Sequence, residues 1–219
     1  MAGSLWAIGS SVTLSSQRPK ANEERFKPLF NGKNLNGWVY GTRQGVENKS
    51  GMGYQVDSGI LYCTKEDGGN LFTQKEYGDF VFRFEFRLEP NANNGIGIRA
   101  PLEGDAAYAG MEIQVLDDSG SQYTNLRPAQ YHGSIYDVVP ARRGSLRPVG
   151  EWNSEEITAK GRRITVKVNG QTIVDSNLDD VKDPEVLKKH PGLARPRGNI
   201  GFLGHGARVE FRNIRVKEL

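Results

Sequence analysis

The sequence predicts an all-β protein built as a two-sheet antiparallel sandwich of jelly-roll style. Three observations predict it: hydrophobic residues recur with period 2 from Phe26 onward, turn signals separate the short apolar runs, and glycine is enriched. Glycine supplies 27 of 219 residues, well above the usual ~7%. Each interior glycine costs a helix about 1 kcal/mol, which excludes a helical bundle. The 9% of aromatic residues, with abundant valine and isoleucine, can build a core and so exclude disorder. No stretch approaches ~18 uninterrupted apolar residues, so no membrane span is expected.

The elements follow in order. Residues 1–25 hold two mildly apolar pieces, Leu5–Ile8 and Val12–Leu14, broken by serine and glycine. They read as a flexible or signal-like segment, and a periplasmic or otherwise exported location is expected. Residues 26–219 form one domain. Tyr54–Val56 and Ile60–Tyr62 flank Asp57-Ser58-Gly59, a hairpin. Phe80 to Leu88 alternates without a fault, with Phe80, Phe82, Phe84, Phe86 and Leu88 on one face and Val81, Arg83, Glu85 and Arg87 on the other. Gly95–Arg99 and Met111–Val115 repeat the alternation. Ile164–Val168 runs into Asn169-Gly170, a strong hairpin signal, and Thr172–Val174 returns. Val209 to Val216 changes phase, which predicts a bulge near Arg212-Asn213. One short helix is expected in the 183–190 region, capped by Asp183 with Pro184 at its first position. Two long irregular stretches, Asp117–Glu151 and Ser176–Arg197, read as coverings over a functional face.

Charge excludes little. Lys and Arg total 29 and Asp and Glu 26; residues 120–219 carry 17 basic and 11 acidic side chains. The arginines there are spread between separate turns and strands, so no nucleic-acid partner is expected. The single cysteine, Cys63, excludes an internal disulfide and a cysteine-based zinc site, and reads as a small buried side chain. His132, His190 and His205 lie far apart without metal-ligand spacing. No metal or cofactor is expected, although Asp117-Asp118 before Ser119-Gly120 reads either as a plain turn or as a site for a divalent cation such as calcium.

A sandwich buries its inner faces and leaves its outer faces wet. With the isoleucines and phenylalanines inward, the outer faces carry Arg83, Glu85 and Arg87; Gly95, Gly97 and Arg99; and Glu112 and Gln114. If these strands are neighbours, a charged stripe lies beside a patch without side chains. Such a patch lets a flat ligand approach the backbone, as a sugar face requires. The alternative is an ordinary solvated sheet with cross-strand ion pairs. Trp38 and Trp152 are candidates to stack on sugar rings, with Trp152 assigned to structure.

At several positions the chain resembles the 3-keto-disaccharide hydrolase family. Phe30–Trp38 is similar to the family's "LFNGKDLSGW" opening, and Tyr77–Phe80 to its "YGDF" block. Asn94–Arg99, Gly110–Asp117, Gly133–Tyr136, Gly150–Asn153, Val168–Gly170 and Val209–Ile214 also match in order. Two positions depart: Leu203 stands where glutamine is usual, before a retained His205, and Ser134 where alanine is common.

The resemblance implies a concanavalin A-like jelly roll and cleavage of glycosides whose sugar carries a ketone at C3. The ketone acidifies the C2 hydrogen, so a base removes that proton, the aglycone leaves from C1, and water adds back. This differs from hydrolysis by paired carboxylates. Glu112 is the candidate base, since a carboxylate desolvated by a bound sugar gains basicity. Arg99 is the candidate for stabilising the enolate and His132 for protonating the leaving group. Gln114, Asp117, Tyr136, Glu85, Gly95, Gly97, Trp38 and His205 are the candidate substrate-binding residues. The alternative function is a non-catalytic, lectin-like carbohydrate-binding module.

Overall fold

The computed structural model describes residues 25–42, 53–64 and 68–219. The signal-like segment 1–25 lies outside the described residues except for Arg25. The expected sandwich is present. Its strands are β1 (Lys27–Pro28), β2 (Trp38–Gly41), β3 (Tyr54–Asp57), β4 (Ile60–Cys63), β5 (Gly69–Tyr77), β6 (Phe80–Leu88) and β7 (Asn93–Ala100), then β8 (Met111–Leu116), β9 (Trp152–Lys160), β10 (Arg163–Val168), β11 (Gln171–Asn177), β12 (Gly198–Gly204) and β13 (Val209–Glu218). Eight of these form one sheet in the order β11-β10-β9-β6-β13-β4-β3, with β1 on β13. The other five form the second sheet, β2-β5-β12-β7-β8.

Alternation builds the core as expected. Phe80, Phe82, Phe84 and Phe86 of β6 are buried against Phe202 and Phe211, and Ile96, Ile98, Met111, Ile113 and Val115 face them from the second sheet. Fully burying one such side chain contributes about 1.5–3 kcal/mol. The Ser58-Gly59 and Asn169-Gly170 turns both place two consecutive residues at positive φ, the geometry that a two-residue hairpin favours. The expected bulge in β13 lies between Arg212 and Arg215, with Asn213 at φ 52°. Among the described residues there are two α-helices, α1 (Ala106–Ala109), which the sequence pattern did not foresee, and the expected α2 (Pro184–Lys189), besides four single-turn 3-10 helices. The Asp183 side chain caps α2 by accepting from the Glu185 amide at 2.9 Å.

One assumption about neighbours fails. β6 and β7 follow each other in sequence but lie in different sheets, so Arg83, Glu85 and Arg87 face the opposite side of the molecule from Gly95, Gly97 and Glu112. The charged stripe pairs across its own sheet instead. Arg83 binds Glu156 at 2.6 Å, and Glu85 binds Arg212 at 2.7 Å.

Candidate active site

The site is assembled on β8. Period 2 turns Met111, Ile113 and Val115 into the core and Glu112 and Gln114 to the outer face. Segment 133–136 adds itself to the edge of β8: the Gly133 amide donates to the Gln114 carbonyl at 2.7 Å, the Gln114 amide to Ser134 at 3.0 Å, and the Tyr136 amide to Glu112 at 2.9 Å. Glu112 and Gln114 are consequently almost closed off, at 3% and 4% exposure, although they point away from the sandwich core.

The two glycines of β7 share that face, as expected, but the protein itself fills the space above them. A Cβ on Gly95 would fall 1.9 Å from Glu112 Oε1, and one on Gly97 would meet Phe72 and Leu203 at 3.2 and 3.3 Å. Gly95 therefore makes room for the carboxylate. His205, in the turn after β12, brings Nε2 to 3.4 Å from Glu112 Oε1, and its side chain is 44% exposed. Gln114 Nε2 donates to Asn93 Oδ1 at 2.8 Å.

Tyr136 stands beside them, its hydroxyl accepting from Gln130 Nε2 at 3.2 Å. Burial pushes the phenol up, and the nearby Asp137, Tyr108 and Glu112 push it further, so it stays a proton donor at neutral pH. The buried Asp137 carboxylate is held by Arg127 at 2.6 Å and Lys189 at 2.9 Å.

Glu112, Gln114, Tyr136, His205, Gly95 and Gly97 thus come together. Asn93, Tyr108 and Gln130 join them unforeseen. Asn93 has the outward parity of Gly95 and Gly97, so alternation carried its signal; Tyr108 and Gln130 sit on a short helix and an irregular turn, where no period operates.

The remaining candidates go elsewhere. Arg99 has φ 47° and leaves the alternation of β7 where β12 shifts register. Its buried guanidinium donates to the carbonyls of Gly78 at 3.1 Å and Gly161 at 2.8 Å, and pairs with Asp79 at 3.1 Å. It ties turns together and is not beside Glu112. His132 turns into the core, its ring 5.1 Å from that of Phe86, and burial alone pushes it down to about 3. A ring so disposed is no proton donor to a leaving group. Trp38 is a core residue: its indole lies 5.5 Å from the Phe202 ring and donates to the Leu29 carbonyl. Asp117 closes a turn by accepting from the amides of Asn91 at 2.8 Å and Ser119 at 3.0 Å, the plain-turn alternative. Glu85 faces the other side, near a hollow of about 370 Å³ lined by Arg83, Glu156, Lys167 and Asn213. Glu85 and Glu156 are engaged there by Arg212, Arg83 and Lys167, and the side chain of Glu155, which also lines it, is buried towards the core, so the hollow offers no exposed free base.

Comparison with known proteins identifies the family and agrees with the fold. The model of the family described as a 3-keto-alpha-glucoside-1,2-lyase-like domain matches residues 25–217. The chain belongs to that family. A 3-keto-disaccharide hydrolase of Bacteroides thetaiotaomicron is 27% identical, over 95% of this chain and 83% of its own. A crystal structure from Parabacteroides distasonis, assigned as a candidate glycosyl hydrolase, is 26% identical with a TM-score of 0.73, covering 89% of this chain and 99% of that one. A Bacillus subtilis protein of galectin-like fold shares the fold alone, at 11% identity and a TM-score of 0.55 over 88% and 94% of the two chains. Every residue of the Glu112 cluster lies inside the matched family span.

Proposed function

We propose that this member of the family cleaves glycosides whose sugar is oxidised to a ketone at C3, by elimination and rehydration. The observation that carries the reading is the Glu112–His205 pair on the glycine-floored face of β7 and β8. Glu112 takes the C2 proton, and the C2–H electron pair forms a C2=C3 double bond as the C3 ketone becomes an enolate. The C1–oxygen bond then breaks and the aglycone leaves with a proton. Water adds back across C1 and C2, placing a hydroxyl at C1 and a hydrogen at C2. A lyase-like family name and a relative named a hydrolase are the two halves of such a route.

The cluster supplies the roles that Arg99 and His132 do not. Tyr136, kept protonated, donates to the enolate oxygen, where a positioned donor contributes about 2.7–4 kcal/mol. His205, within 3.4 Å of Glu112 and open to solvent, passes the proton towards the leaving group. Gln114 and Asn93 hold the sugar hydroxyls. The lectin-like reading loses its stacking aromatic, because Trp38 lies in the core. An exported location belongs to the same proposal.

The test is a matched pair of substrates, a disaccharide and its 3-keto form, incubated in deuterated water. Cleavage of the keto form alone, with deuterium entering C2, is expected. Cleavage of the unoxidised sugar alone overturns the elimination.

A further inference from the structure

Two buried ionisable side chains take no part in this reaction, and they face each other across the core. Glu155 lies on β9 with inward parity, opposite Phe84 on one side and Val168 on the other, and is 2% exposed. Neither of its carboxyl oxygens has a hydrogen-bond partner among the described residues, and neither has His132 Nε2. The approach between them, Nε2 to Oε2, is 3.6 Å. His132 Nδ1 accepts from the Leu116 amide at 3.2 Å, so the ring proton sits on Nε2, the nitrogen turned towards Glu155. A lone carboxyl among phenylalanine and valine is costly, and a leucine would pack there without that cost.

The contact joins the two sheets. Glu155 belongs to the eight-stranded sheet, while His132 is anchored to the end of β8 through Leu116 and through its own amide, which donates to Asp118 Oδ1 at 2.9 Å. The next residues, Gly133 to Tyr136, are the segment that zips onto β8 beside Glu112. Where the imidazole is set, the Tyr136 phenol follows.

We propose that Glu155 is a positioning residue for the reaction at Glu112: by facing the Nε2 proton of His132 it holds segment 133–136 on β8, and with it Tyr136. The kinetic part of this inference rests on the proposed cleavage of 3-keto-glycosides, and the spectroscopic part does not.

The experiment uses the full chain, as wild type, Glu155→Gln and Glu155→Leu. Nitrogen-15 NMR of the wild type should show His132 protonated on Nε2 and bare on Nδ1. Glu155→Gln keeps an oxygen for that proton and should retain kcat within about threefold, whereas Glu155→Leu should lower kcat at least about tenfold with KM little changed. Hydrogen exchange at the Leu116 and Tyr136 amides should accelerate in Glu155→Leu and not in Glu155→Gln. Wild-type kcat and exchange in Glu155→Leu, or equal damage in both variants, overturns the proposal. Should Glu155→Leu fail to fold, a wild-type His132 protonated on Nδ1 overturns it, and Glu155→Gln with wild-type exchange supports it. A wild type that cleaves no 3-keto-glycoside removes the proposed function, while tautomer and exchange still decide the role of Glu155.

Discussion

Glu112 of β8 places its carboxylate in the space that Gly95 of β7 leaves by having no side chain: a Cβ there would lie 1.9 Å from Oε1. Gly95 is not at positive φ, so its backbone accepts an alanine without strain. The Glu112 side chain from Cγ outward, whose Cδ and Cγ would lie 2.6 and 2.7 Å from that Cβ, is what must move. Gly95→Ala is therefore expected to reduce kcat about 10²-fold while changing the unfolding free energy by less than about 1 kcal/mol. Paired thermal melts and 3-keto-glycoside assays check it, and a fully active Gly95→Ala would remove Glu112 from the role of base.

Arg99 leads to the opposite expectation. Its guanidinium is buried and bound to three carbonyls, of Gly78, Gly161 and Arg195, and to Asp79, on turns and loops at one end of the sandwich. Arg99→Ala leaves those carbonyls without their donor, at a cost of about 2–4 kcal/mol. The folded fraction should retain its kcat. Urea unfolding and active-site-normalised rates separate the two effects.

The contrast shows what the sequence carried and what it did not. Alternation identified the inward faces of β6, β7 and β8, the Asn169-Gly170 hairpin and the β13 bulge, because each follows from the pleat or from turn stereochemistry. It also set Glu112 and Gln114 on one face with Gly95 and Gly97. Parity assigns a side chain to a face but does not say in which sheet the strand lies, so Glu85 was set beside residues it opposes. Nor does parity survive a left-handed residue, and φ 47° at Arg99 carried that side chain out of the pattern. His132 sits in an irregular loop with no period to read. Glu155, by contrast, was legible: it shares the parity of Ile157 and Ala159, and a carboxylate in that series marks a buried acid.

Leu203 tests whether its position belongs to the site or to the packing around it. It pairs with Gly95 across β12 and β7 and is 3% exposed, in an outer-face cluster with Phe72, Ala100 and Ala106. An amide introduced there is buried among hydrocarbon. Leu203→Gln should lose about 1–3 kcal/mol of stability with no gain in kcat/KM. A stable and more active Leu203→Gln would instead show that this position reaches the substrate.

The His132–Glu155 pair predicts a stability profile with two limbs. Burial lowers His132 from 6.5 to about 3 and raises Glu155 well above 4.5. The His132 contribution is therefore present above 6.5 and lost as pH falls; the Glu155 contribution is present below 4.5 and lost as pH rises. Just above 4.5 the raised Glu155 keeps its proton in the folded chain while His132 stays neutral, and the unfolded pair also holds one proton, on His132, so the two contributions oppose each other and stability is level there. At lower pH the unfolded chain binds more protons than the folded one, and once unfolded His132 is neutral it binds fewer for as long as Glu155 keeps its proton. Each limb falls by up to about 1.4 kcal/mol per pH unit. Asp118 accepts from the His132 amide and faces Arg143, and both groups are present in both proteins compared, so they cancel in a difference. The measurement is the unfolding free energy of the wild type minus that of a His132→Phe, Glu155→Leu double variant across this range. A flat-topped difference that declines on both sides is expected; a single monotonic limb would show that the folded pair does not retain one proton. An infrared carbonyl band of a protonated carboxyl, lost in Glu155→Gln, then places that proton on Glu155 and not on the imidazole.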